Sequence, residues 1–148
     1  MKVVIADASC LILLTNIDQL DTLGKLYGEV WITDEVRSEY RLPLPSFISL
    51  QNPSDPDRLS ELMQTLDPGE ASSIALAIET PNCRVIIDEK KGRRIALALG
   101  LDLTGTLGVL SEARKKHLLT IDDELIEKLR KSGFHLSDDL KREFLLGS

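Results

Sequence analysis

Short, wholly apolar runs alternate along this chain with stretches of helical period. Residues 2–6 (KVVIA) and 84–87 (RVII) read as strands buried on both faces, and residues 29–32 (EVWI) as a third. Residues 9–16 and 18–26 read as helices, with Asp18 as the N-cap of the second. Thr33 caps a helix running to Tyr40, and Asp34 and Glu35 suit its N-terminal dipole. Residues 42–56 hold four of the six prolines and read as a connection with an extended piece at 47–50.

Further on, residues 58–65 read as a helix. A second starts at Asp67-Pro68-Gly69-Glu70, where proline suits the first helical position, and continues to Ile78. Residues 91–99 form a helix closed by Gly100, 101–103 a short strand, and 107–115 a helix entered from Gly105 and Thr106. Thr120 and Ser137 read as caps of two terminal helices. Strands alternating with helices over the whole length predict an α/β sandwich around a parallel sheet. At 148 residues the chain is expected to form a single domain, 1–148, with a helical extension over about 118–148.

Charge and cysteine content narrow the chemistry. The net charge of −6 argues against a broad basic face for duplex nucleic acid. Two cysteines, Cys10 and Cys83, make neither a disulfide framework nor a zinc site and fit a reducing cytoplasm. No apolar run is long enough to span a bilayer. Trp31 and Tyr27 are expected to pack around the second strand. No GxxxxGK[ST] loop is present, and no GxGxxG follows the first strand.

Ligands of parallel α/β sheets bind beyond the carboxyl ends of the strands. Two buried strands here end in a carboxylate, Asp7 and Asp88. Each alone reads equally as a loop residue or helix cap; together on one sheet edge they point to a shared proton or cation. Glu70 reads either as half of a capping box with Asp67 or as a third acid of that site. Glu39, on the rim of its helix, reads as a surface salt-bridging residue or as a fourth. Carboxylates without histidine or cysteine select hard divalent ions, Mg²⁺ or Mn²⁺. Lys90, Lys91, Arg93 and Arg94 follow Asp88 at a helix start, where the macrodipole disfavours cations. They read either as a solvated face pairing with Glu89 or as contacts for RNA phosphate.

Asp7-Ala8-Ser9, the stretch from Ile32 to Glu39, Gly69-Glu70 with the small residues behind it, and Val85-Ile86-Ile87-Asp88 come in this order. Together they resemble the PIN-domain ribonucleases, and more closely the branch related to VapC-type toxins, with Gly105-Thr106-Leu107-Gly108-Val109-Leu110 similar to an uncharacterised PIN-like subgroup. The resemblance implies a three-layer α/β/α sandwich with a mostly parallel central sheet and extra C-terminal helices. It implies that Asp7, Glu39, Glu70 and Asp88 are catalytic and bind Mg²⁺ or Mn²⁺, with Ser9 holding the Asp7 carboxylate or a metal-bound water. The implied activity is endonucleolytic cleavage of single-stranded RNA by the toxin of a toxin–antitoxin pair. A homodimer and a small antitoxin partner are implied with it. Two other readings stand beside this one: a non-catalytic PIN-like module that binds RNA or protein, and a phosphatase of the HAD type with Asp7 as nucleophile.

Overall fold

The computed structural model describes residues 2–133. Five strands, β1 (Val3–Ala6), β2 (Val30–Ile32), β3 (Ile48–Leu50), β4 (Cys83–Ile86) and β5 (Asp102–Thr104), form one sheet in the order β3-β2-β1-β4-β5. Every neighbouring pair is parallel. The helices among the described residues are α1 (Ala8–Asn16), α2 (Leu20–Tyr27), α3 (Asp34–Tyr40), α4 (Pro56–Leu62), α5 (Pro68–Glu79), α6 (Lys90–Ala98), α7 (Thr106–Lys115) and α8 (Asp123–Lys131). The predicted α/β/α sandwich is therefore present, with helices on both faces of the sheet.

The two-residue period of the strands divides the core. Val4, Ala6, Val30, Ile32, Ile48 and Ile86 face one side, where α1, α3, α7 and α8 contribute Leu11, Leu14, Val36, Leu110, Leu125 and Leu129. Ile5, Val85 and Ile87 face the other, packed by Ile74, Ala71 and Ala77 of α5 and Ala96 of α6. The first part of the expected C-terminal extension, α8, thus packs into the same core as β1. No helix of the described residues is long and apolar enough to cross a membrane.

The helix starts follow local chemistry. Thr33 caps α3 through Val36 N–H, as expected, and Asp67 caps α5 through Glu70 N–H. Gly100, at φ +76°, follows α6 where a left-handed residue is needed. Three expectations shift. Asp18 is not the cap of α2: it sits in the left-handed region at φ 59°, which Asp tolerates, and the helix begins after Gln19 without a side-chain cap. The cap of α8 is Asp122, not Thr120, because its carboxylate reaches Leu125 N–H. The helix expected at 58–65 starts earlier, at Pro56, capped by Asp55. The cap expected at Ser137 lies outside the described residues.

Small residues set the distance between α3 and α5. Gly69, Ala71, Ser72, Ser73, Ala75 and Ala77 are all buried. Thr33 Oγ1 and Ser72 Oγ lie 2.7 Å apart, and Ser73 Oγ donates to Gly69 O at 2.8 Å. This close approach brings the start of α5 up to the carboxyl ends of β1 and β4.

Candidate functional site: an acidic cleft at the strand ends

Asp7 leaves β1 directly and is the N-cap of α1, its Oδ1 accepting from Ala8 N–H at 2.8 Å. Its own N–H donates to Ile86 O of β4, which fixes it beside the end of that strand. The side chain is buried, at 5% exposure. Asp88, just past β4, is gripped at both oxygens by one residue: Thr106 N–H donates to Oδ1 at 2.7 Å and Thr106 Oγ1 to Oδ2 at 2.5 Å. The carboxylate thus sits on the first residue of α7, where the helix dipole favours it.

Glu39 and Glu70 come from the helices. Glu39 Oε1 accepts from Gly69 N–H at 3.1 Å. A Cβ on Gly69 would lie 2.6 Å from Glu39 Oε1 and 3.1 Å from Asp7 Oδ1, so the two carboxylates converge over that glycine. Glu70, only 2% exposed, donates its N–H to Asp67 Oδ1 at 2.9 Å, the capping bond of α5. Its side chain makes no return bond to Asp67 N–H, so only one half of the capping box forms. Glu70 Oε2 is buried with no hydrogen-bond partner.

All four acids expected from the sequence therefore lie at the same sheet edge. Two more, read only as a cap and as a partner for lysines, join them. Carboxylate oxygens of Asp67, Glu70 and Glu89 lie within 4.8 Å of one another. A local signal for Asp67 existed, but the cap explained it fully; nothing local marked Glu89.

The electrostatics follow from burial and crowding. Burial pushes the Asp7 carboxyl from 3.8 up to about 7; the Ala8 N–H opposes this, and the charges of Asp67, Glu39 and Asp88 add to it. Glu70 rises to about 9, first by burial and then through Glu89, Asp67 and Asp7. Glu39 is raised in the same direction by burial and Asp67. Among the described residues, none of these six acids forms an ion pair. Asp67, Glu70 and Glu89, with Glu70 Oε2 buried and orphaned, form an oxygen-only donor set; Asp7, Glu39 and Asp88 lie on the same edge but outside that group. That set fits a hard divalent cation.

The basic residues frame this edge unequally. Arg93 is half-buried: its Nη1 donates to Ile87 O at 2.7 Å and lies beside Gly105, the glycine that Asp88 Oδ1 also approaches. Lys90, Lys91 and Arg94 are exposed on α6, and none of the four cations pairs with Glu89. Ser9 is exposed and makes no hydrogen bond to Asp7; it lines a cavity of about 280 Å³ that Asp88 also borders.

Gly92 shows how tightly this region is packed. A Cβ there would collide with Glu70 Oε2 and lie 3.1 Å from Ile87 Cγ2. Glu70 is only 2% exposed, so its carboxylate has little room to give way. Gly92→Ala is therefore expected to destabilise the protein by about 1–2 kcal/mol, despite alanine's better helix propensity. A lower midpoint in urea-induced unfolding, with an unchanged slope, checks this.

No curated protein sequence matches the chain. A family model described as a PIN domain matches residues 3–147, which includes every strand and the whole acidic edge. PIN domains are generally nucleases that use divalent metal. This chain belongs to the PIN-domain family.

Proposed function

We propose that this protein is a divalent-metal-dependent endoribonuclease that cuts single-stranded RNA at the acidic cleft. The observation that carries this reading is the pair of buried carboxylates, Asp7 and Glu70, crowded by further acids with no cationic side chain to neutralise them. Burying such charges without a partner costs several kcal/mol, so a sequence keeps them for a ligand that repays it. Asp7, Glu39, Glu70 and Asp88 would hold Mg²⁺ or Mn²⁺, together with Asp67 and Glu89, whose carboxylate oxygens lie within 4.8 Å of that of Glu70. When bound, such an ion lowers the pKa of water and stabilises charge developing on phosphate oxygens.

The chain's own residues supply the rest. Thr106 immobilises Asp88, so that this acid cannot turn away from the cleft. Arg93, anchored on Ile87 O, presents its remaining N–H groups beside Asp88, where they would orient a phosphate of the RNA. Lys90, Lys91 and Arg94 draw the strand towards an edge that would otherwise repel it. Ser9, on the adjoining rim, stands where it would contact a water or the ribose.

The test uses the full chain, purified and stripped with EDTA, then incubated with end-labelled single-stranded RNA. Cleavage is expected on addition of Mn²⁺ or Mg²⁺ and none in EDTA. Cleavage that persists in EDTA, or none when calorimetry shows Mn²⁺ bound, overturns the proposal. The resemblance to the toxin branch extends it further: a co-expressed small protein would bind the cleft and silence the enzyme. Co-purification with the product of an adjacent gene, and loss of cleavage in that complex, tests the extension.

A further inference from the structure

At the opposite end of the sheet, between α2 and α7, lies a cavity of about 570 Å³ that the acidic cleft does not use. Its floor is unusual for a sheet face. Val4, Arg84 and Asp102 are register partners across β1, β4 and β5, so their side chains emerge in one row. Arg84 thus stands where the apolar period would place a core residue. Its Nε donates to Asp102 Oδ2 at 3.3 Å and its Nη1 to Glu112 Oε2 at 3.5 Å. Tyr27 closes one wall, its hydroxyl donating to Glu112 Oε2 at 3.1 Å.

Three lysines complete the lining. Lys2 pairs with Asp102, and Lys116 with Glu112 at 3.7 Å. Lys25 reaches the same cavity and forms no ion pair among the described residues. Four cations thus face two carboxylates, a local positive surplus in a chain whose net charge is −6. A guanidinium carries five N–H donors, of which Asp102 and Glu112 take two. Those acids fix the fork in place, and its free N–H groups suit bidentate contact with a phosphate. The volume lies within the range of small-molecule sites. Beside the charges, Tyr27 and Leu26 supply an apolar wall that an inorganic anion would leave unfilled.

We propose that this cavity is a second, non-catalytic site for a nucleotide carrying a terminal phosphate, with the phosphate on Arg84, Lys25 and Lys116 and the base against the ring of Tyr27. A free nucleoside monophosphate and the 5′-phosphorylated end of an RNA strand share this chemistry. The site is independent of the nuclease reading, because it uses none of the acids of the cleft.

The experiment is calorimetric titration of the full chain in EDTA, where the uncompensated acidic cleft repels phosphate and cleavage does not occur. The probes are AMP, inorganic phosphate and a short 5′-phosphorylated single-stranded oligonucleotide. AMP is expected to saturate one site per chain, with inorganic phosphate about tenfold weaker. The double variant Lys25→Glu/Lys116→Glu, altered only at exposed positions, is expected to weaken AMP binding at least about tenfold. Tyr27→Leu is expected to bring AMP down to the level of phosphate. An oligonucleotide that binds more tightly than AMP assigns the site to RNA ends; equal or weaker binding assigns it to free nucleotide. Absence of saturation by both AMP and the oligonucleotide, AMP binding no tighter than phosphate, or unchanged affinity in the double variant overturns the proposal.

Discussion

Asp7→Asn is expected to lower metal-dependent RNA cleavage by about 10²–10³-fold while making the metal-free protein more stable. The two effects have one origin. Asn is as good an N-cap as Asp, so the bond from Ala8 N–H to the side-chain oxygen survives and α1 keeps its start. What disappears is a buried negative charge facing Glu39, Asp67 and Asp88. At pH 8, with Asp7 raised from 3.8 to about 7 in the folded state, keeping that charge costs a few kcal/mol at about 1.4 kcal/mol per pKa unit. Removing it is expected to raise the melting temperature by several degrees. RNA cleavage assays and melts on the same preparation check the prediction. An Asn variant of unchanged stability and full activity would show that Asp7 is only a helix cap.

In EDTA, stability is expected to fall as pH rises from about 5 to about 9, and Mg²⁺ is expected to reverse the loss. The sign follows from proton binding. Asp7 and Glu70 hold protons in the folded state up to about 7 and about 9, whereas the unfolded chain releases them near 3.8 and 4.5. Between those limits the folded state binds more protons, so each step up in pH favours unfolding. Glu39 acts in the same direction. Asp102, lowered chiefly by Lys2, and Glu79, lowered by the Ser54 N–H, act in reverse. Their contribution is lost only as the pH falls below their ordinary values of 3.8 and 4.5. On the proposed function, a divalent cation would compete with the protons and bind only the assembled cleft, so its stabilisation should grow with pH. At a hundred times its dissociation constant it reaches about 2.7 kcal/mol. Melts at pH 5, 7 and 9 with and without Mg²⁺ measure this. A metal-free protein more stable at pH 9 than at pH 5 would contradict it.

What the sequence made legible was local. The Thr33 and Asp67 caps, the apolar runs of β1 and β4, and the glycine after α6 each depend on neighbours a few residues away, and all are where the pattern put them. Asp18 failed because two residues compete at a tight turn: a residue that tolerates the left-handed region is used there and is lost as a cap. Thr120 failed because Asp122, a stronger acceptor, stands nearby. At the cleft, Asp7 and Asp88 were legible through the rule of strand ends. Asp67 and Glu89 were not. Asp67 lies three residues before Glu70 and was read fully as its cap. The approach of Glu89 depends instead on how closely α5 docks against the sheet, a distance set by contacts of Gly69, Gly92 and Ser72 with residues far away in the chain. Arg84 was read as part of a buried strand; its role at the rear cavity becomes visible only once Asp102 and Glu112 surround it.

The central position of β1 has a consequence for biosynthesis. β1 cannot complete its pairing until β4, some eighty residues later, has been synthesised, and Asp88 is not clamped until Thr106 follows. Long-range parallel pairing of this kind is slow compared with helix formation. Nascent chains therefore carry every early acid but no assembled cleft, and prematurely terminated fragments would be inert.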